Sequence, residues 1–442
     1  MPSRQLSCRS APGPQPGAVL KPAPDPRPRP LEGVRVLDLT TALAGPYATL
    51  VLGGLGARVI KIENPRSPDT ARGNAPFVGR DGVGMARRRD DDMSLAILER
   101  GRNKESMTID LKHPHGRDLF LALAETADVV VENYSAGTTD RLGVGYGAVS
   151  ARNPRIVYTS ISGFGADQLS GQRKAMDTVV QALSGLMMTS GEADDEPLRV
   201  GVPFGDLSAP LYAVIGTLAA LMQARQTGRG QHVDVSLLGA LTAMVAAEPF
   251  EVMRRMGQQT RTGNAMPRLA PFGVFRARDG HVAICAPTDV QAGLLFDAME
   301  RGELKVDARF GDRNGRVRHS GDLHDAVAAW VATLPTDEVV RRLDRAGVPS
   351  GRVRDPGEAV RDPRTLARGE TVVLEHPRFG AVGDVVVGGL PIRMSGSHTG
   401  FDRPAPTLGQ HTASILGELL QLDEARLREL AADGVIGQPG TT

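Results

Sequence analysis

Cysteine is nearly absent: of 442 residues only Cys8 and Cys285 carry a thiol. That excludes a disulfide framework and fits a reducing, cytoplasmic setting. Neither thiol falls in a CxxC and no HExxH occurs, so no metal site is expected. Aromatics make up 4% of the chain, with one Trp at position 330, so Val, Leu, Ile and Ala must fill the core. Lysine occurs only at positions 21, 61, 104, 112, 174 and 305. The net charge is +1, from 52 basic and 51 acidic residues, which provides no field to draw nucleic acid or a membrane surface. The longest apolar run, around Leu211 to Met222, is too short to span a bilayer.

Proline is plentiful at the start. Residues 1–30 hold nine prolines and five basic residues with no apolar stretch. They read as a disordered leader and not as a signal peptide. With 41% hydrophobic residues, the remainder can bury a large core in two or three domains.

From Gly33 the pattern is α/β. Strand-length runs at Val34–Thr40, Ala57–Glu63, Asp128–Glu132 and Arg155–Ile161 alternate with helical stretches opened by Pro46 and Pro114. That alternation argues βαβ units and a parallel sheet. Asp90–Asp92 is a charged loop; a long helix over Leu207–Gln226 ends at Thr227–Gly230, before a strand at Gln231–Ser236. Beyond Gly263 the texture changes to a hairpin, Phe272–Phe275 and Val282–Cys285 about a turn at Asp279-Gly280. The expected divisions are a large domain over 31–240, a linker over 241–262, a small α+β domain over 263–350, and 351–442 returning to the large domain. The return crosses near Gly347–Asp355 and ends in a helix at Ala413–Leu420.

Two familiar chemistries fail on spacing. Gly53-Gly54-Leu55-Gly56 follows a helix and does not open one, so a dinucleotide fingerprint is missing where phosphate needs it. No GxSxG elbow occurs. Asp206, after Gly205 and before the long helix, reads first as an N-cap. The same place suits a nucleophile, because a helix N-terminus lowers a carboxylate's pKa and a carboxylate can carry a covalent intermediate.

The ordered landmarks then become specific. Leu31–Thr40 with Ala44-Gly-Pro46, Gly56–Glu63, Asn103-Lys104, Val131-Glu-Asn133, Asn153-Pro-Arg155, Ser162-Gly-Phe-Gly165, Gly205-Asp206, Thr227–Gln231 and Leu408–Thr412 follow one another over nearly all of 31–436. This set resembles the family III CoA-transferases of the CaiB/BaiF type, among them formyl-CoA, carnitine and succinyl-CoA–glutarate transferases, relatives of α-methylacyl-CoA racemase. The resemblance implies a large Rossmann-like domain, its parallel sheet formed by N- and C-terminal parts, a smaller α+β domain, and an interlocked homodimer.

It also implies a mechanism. Asp206 attacks a donor acyl-CoA to give a mixed anhydride, and CoA thiolate returns to give an aspartyl-CoA thioester that the acceptor acid resolves. Coenzyme A is then a substrate, with no permanently bound cofactor. By position Ala42 and Leu43 line the nucleotide end, Leu111 and Asn133 lie near adenine and pantetheine, Arg141 near the phosphates, and Lys174 near the bound CoA. Lys61 reads as readily as a strand-end surface charge as a site residue. Racemases use a His thirty residues before the aspartate; here that position is Met176, beside Asp177, and no His lies between His115 and His232. Taking and returning an α-proton needs two bases, so racemisation is disfavoured. The glycine run of formyl-CoA transferase is replaced by Gly263-Asn264 and Met266–Gly273, and Asp91–Arg102 also departs, which keeps a catalytically weak acyl-CoA-binding relative as an alternative. Ala182–Met188, Pro197–Gly201, Ala75–Gly79 and Leu408–Thr412 look most like the dicarboxylate branch. A distal carboxylate wants an Arg partner, and Arg199 or Arg268 could supply one.

Overall fold

The computed structural model describes residues 27–166, 173–266 and 268–437. Residues 1–26 of the expected leader lie outside that range. Packing starts slightly before Leu31: Arg29 Nη1 donates to Gly400 O at 3.2 Å, and Pro28 O accepts the N–H of His398 at 3.1 Å.

Six strands form the main sheet: β1 Arg35–Asp38, β2 Arg58–Glu63, β3 Lys104–Thr108, β4 Val129–Glu132, β5 Val157–Ser162 and β6 His232–Ser236. They run in the order β3-β2-β1-β4-β5-β6, with every neighbouring pair parallel. Runs such as Val129-Val-Val131 are apolar throughout because both faces are covered. One face carries helices Ala44–Gly54, Phe204–Thr227 and Leu237–Ala246, whose Val51, Leu52, Ala213 and Leu241 join Val36 and Val131 in a shared core. On the other face, Phe120, Val149, Ile415 and Leu430 close over Leu37, Ile60 and Val130.

Three sequence expectations change here. The C-terminal part rejoins the large domain as helices Thr412–Leu420 and Glu424–Ala432, and gives the sheet no strand. Its approach instead caps the edge strand β3, where His411 N donates to Ser106 O at 2.8 Å and Ser106 N donates to His411 Nδ1 at 3.1 Å. Before crossing back, the chain completes the small domain's antiparallel sheet: Ser350–Arg352 pairs with His281–Cys285, which pairs with Phe272–Arg276. Helix Phe204–Thr227, at 24 residues, exceeds the apolar run read from sequence and is long and apolar enough to cross a bilayer; half of its apolar window is buried inside the fold. A further hairpin, Thr371–His376 with Gly380–Gly388, packs Leu374 and Val382 beside Val78, Met93 and Leu98.

Candidate active site

The strand order reverses between β1 and β4, and a doubly wound sheet opens its ligand crevice beyond the carboxyl ends of strands at such a point. The loop after β1 occupies that place. Asn133, just past β4, clamps it: Asn133 Oδ1 accepts Thr41 N–H at 2.7 Å and Nδ2 donates to Thr41 O at 2.8 Å. Ala42 follows with φ of 64°, its N–H held by Asp69 Oδ1 at 2.8 Å. The loop is therefore rigid, with Ala42 exposed and Leu43 half-exposed. Gly45 has no room for a Cβ, because one would stand 2.4 Å from the Thr40 side chain.

Beneath the loop lies a buried charge network. Asp38 ends β1, and its Oδ2 accepts from Lys104 Nζ at 3.0 Å and Thr49 Oγ1 at 2.6 Å. Lys61 Nζ donates to Thr40 O at 2.8 Å and pairs with Asp69 at 2.9 Å. Lys61 is 5% exposed, so its reading as a surface charge is corrected: it holds the backbone of the loop from below. Burial alone would raise Asp38, but Lys104, Lys61 and the two threonine hydroxyls outweigh it and bring the carboxyl to about 2. Burial pulls Lys104 down to about 8 against the attraction of Asp38, which leaves the pair ionic at neutral pH.

Asp206 departs from its expected role. The helix begins at Phe204 after Pro203, and Asp206 lies inside the first turn without a capping bond. The cap comes from Asp177, at the start of helix Asp177–Leu183: its Oδ1 accepts Gly205 N–H at 2.7 Å and, more weakly, Asp206 N–H at 3.4 Å. Those N–H groups are thus not offered to an oxyanion. The expectation of a lowered pKa also fails. Burial and the charge of Asp177 push Asp206 up to about 6, with Arg100 pulling weakly the other way.

The remaining sequence candidates divide. Ala42, Leu43 and Asn133 meet at the switch point, although both polar atoms of the Asn133 side chain are spent on Thr41. Leu111 packs its side chain into the core with Ile109 and Phe120. Arg141, exposed on helix Thr138–Leu142, reaches Thr138 Oγ1 at 2.9 Å, and Lys174 is exposed. Arg199 is exposed and turns back on its own backbone, donating to Val200 O at 3.1 Å. Arg268 is paired with Glu248. Neither arginine stands as a free carboxylate clamp in this arrangement, because Arg268 already has an anion and Arg199 faces solvent. The segment replacing the glycine run hooks onto the loop before it, Gly263 N donating to Gly191 O at 3.0 Å.

Sequence reasoning missed Asp177 as a cap and Arg100 as the cation that opposes the rise of Asp206. Asp38 and Lys61 did leave a signal, as single charges inside the apolar runs Val36–Leu39 and Val59–Ile62.

The family model described as CoA-transferase family III matches residues 31–412. The chain belongs to that family. This CoA-transferase is 33% identical to the human protein named succinyl-CoA:glutarate CoA-transferase, over 93% of this chain and 91% of the relative. It is 34% identical to the succinyl-CoA:mesaconate CoA-transferase of Haloarcula hispanica, over 88% of this chain and 96% of the relative. Among solved structures, a CaiB/BaiF family protein from Brucella suis superposes with a TM-score of 0.74 at 32% identity, covering 89% of this chain and all of that one.

Proposed function

We propose that the enzyme moves CoA from a dicarboxylyl-CoA to a second dicarboxylic acid through Asp206. The dicarboxylate assignment is supported by relatives whose names pair succinyl-CoA with glutarate, mesaconate and D-citramalate. The observation that carries the mechanism is a carboxylate left free of capping duty and raised toward neutrality, in the first turn of helix Phe204–Thr227.

Asp206 attacks the thioester carbonyl, and the C–S bond breaks to give a mixed anhydride and CoA thiolate. The thiolate then attacks the Asp206 acyl carbon of the anhydride. The donor acid leaves as a carboxylate, and an aspartyl-CoA thioester forms. The acceptor carboxylate reverses the two steps and regenerates Asp206. A more basic carboxylate is the better nucleophile, and at pH 7.5 one titrating at about 6 remains mostly ionised. The crevice at Ala42, Leu43 and Asn133 would take the nucleotide end of CoA, with Arg141 and Lys174 as candidate cations for its phosphates.

The enzyme is further proposed to act as a homodimer. Leu211, Tyr212, Ile215 and Met222 all face outward along helix Phe204–Thr227, from 42% to 66% exposed, and a second chain would cover them. Incubation with succinyl-CoA followed by peptide mass spectrometry tests the covalent step: a succinyl or CoA adduct is expected on the peptide bearing Asp206. Robust transfer with an unmodified Asp206 and no loss in Asp206→Ala would sink the mechanism.

A further inference from the structure

A narrow, partly open pocket beside the first turn of helix Ala44–Gly54 is lined by Pro46, Lys61, Asp69, Arg72, Arg100 and Lys104, among others. Four of these side chains are cations, and three are committed. Lys61 holds Asp69, Arg72 forks onto Glu63 with bonds of 2.7 and 2.6 Å, and Lys104 holds Asp38. Arg100 differs. It closes helix Leu95–Arg100 with its side chain 13% exposed, and its Nε is buried without a hydrogen-bond partner. The nearest carboxylate oxygen among the described residues, on Glu99, stands 3.9 Å from Nη1, beyond hydrogen-bonding distance. Burial lowers the pKa of this guanidinium, against the weaker pull of Glu99, Asp69 and Asp206.

A desolvated guanidinium with unused donors is costly unless an anion arrives from outside. Among the described residues none supplies that anion within bonding distance, while Arg100 is the cation whose charge reaches Asp206. Arginine offers a planar fork that matches a carboxylate in two bonds. We infer that Arg100 is the specificity-determining residue for the distal carboxylate of the acyl group, holding it while the proximal carbonyl reacts at Asp206. The inference rests on the transferase reading above and names the residue that Arg199 and Arg268 do not supply.

The measurement is a ratio: kcat/KM for transfer from succinyl-CoA to glutarate, over that from butyryl-CoA to valerate. The wild-type enzyme should favour the diacids, and Arg100→Met should cut the ratio about 10–100-fold, the worth of a charge-assisted hydrogen bond. The loss should lie mainly in KM, because the contact is present before and during reaction. A fall of both rates together would make Arg100 an electrostatic partner of Asp206 and overturn the inference, as would an unchanged ratio. Should Arg100→Met fail to fold, Arg100→Gln reads the same ratio, and the same fall supports the inference while an unchanged ratio overturns it. A wild-type enzyme active on both acid classes without preference sinks this inference alone; one that transfers CoA between no pair of acids sinks the transferase reading beneath it.

Discussion

Asp177 Oδ1 accepts the backbone N–H of Gly205 at 2.7 Å, so one aspartate caps the helix whose first turn carries the other, Asp206. The two carboxylates divide between them what an N-cap nucleophile would have to do alone. Asp177 satisfies the helix end, its other oxygen held by Gln181 Nε2 at 2.7 Å. Asp206 keeps its lone pairs, and the like charge next to it raises its basicity.

Asp206→Ala should therefore abolish CoA transfer without destabilising the fold and with CoA binding close to wild type. The helix cap stays in place, whereas loss of a true N-cap costs about 0.5–2 kcal/mol. Calorimetry and CoA titration on the variant check this; transferase activity above a trace would remove Asp206 from the mechanism.

The pH dependence follows from the same pair. Attack needs ionised Asp206, so kcat/KM should rise with pH through a midpoint near 6. Asp177→Asn keeps an oxygen acceptor for Gly205 N–H and removes the like charge. Its midpoint should move down, though not to the ordinary 3.8, because burial remains the larger cause. Stability runs the opposite way. Between 3.8 and about 6 the folded chain holds this proton more tightly than the unfolded one, so the stabilisation is lost as pH rises through that window. Asp206→Asn should accordingly melt higher than wild type at pH 8; an equal or lower melting temperature would contradict the raised pKa.

The parallel sheet was legible because strand-length apolar runs alternate with helical stretches, and the small-domain hairpin because Asp279-Gly280 punctuates it. The ordered landmarks singled out Asp206, and its catalytic role is the proposal made above. What escaped reading was long-range pairing. Nothing local says that Asp177 reaches Gly205 across 28 positions, or that Lys61 is buried under Thr40 and not at a strand's wet end. The C-terminal share of the sheet, implied by the resemblance, is absent: Leu408–Thr412 bonds along β3 through His411 and Thr412 without extending the sheet. The surroundings of Arg199 and Arg268 were not legible either, because an arginine's partners depend on the fold: Arg268 pairs with Glu248.

No α-epimerisation is expected. Met176, 76% exposed ahead of helix Asp177–Leu183, offers no proton acceptor, and both oxygens of Asp177 are engaged. A 2-methylacyl-CoA incubated with enzyme in deuterated water should keep its α-hydrogen by NMR. Rapid deuterium uptake would restore a second base and point to Asp177 leaving its cap.

The charge pair under the CoA loop should behave as a coupled unit. Lys104 and Asp38 are 1% and 0% exposed in their side chains and lie 3.0 Å apart. Lys104→Met leaves Asp38 ionised, because Lys61 and the hydroxyls of Thr40 and Thr49 still favour its charge. Breaking one partner out of a buried ion pair costs up to about 3–5 kcal/mol, and Lys61 offsets part of it here. The same substitution frees Thr49 and Pro46 O from the ammonium they share, so the loop to Ala42 should loosen and the KM for acyl-CoA should rise. Adding Asp38→Asn removes the orphan charge, so the double variant should recover most of the stability lost, as a double-mutant cycle in urea would read. The KM should not recover with it, since a neutral amide at the end of β1 has no ionic grip to restore the loop. Additive losses in the cycle would mean that the two residues support the fold separately, and that the loop is held chiefly by Lys61.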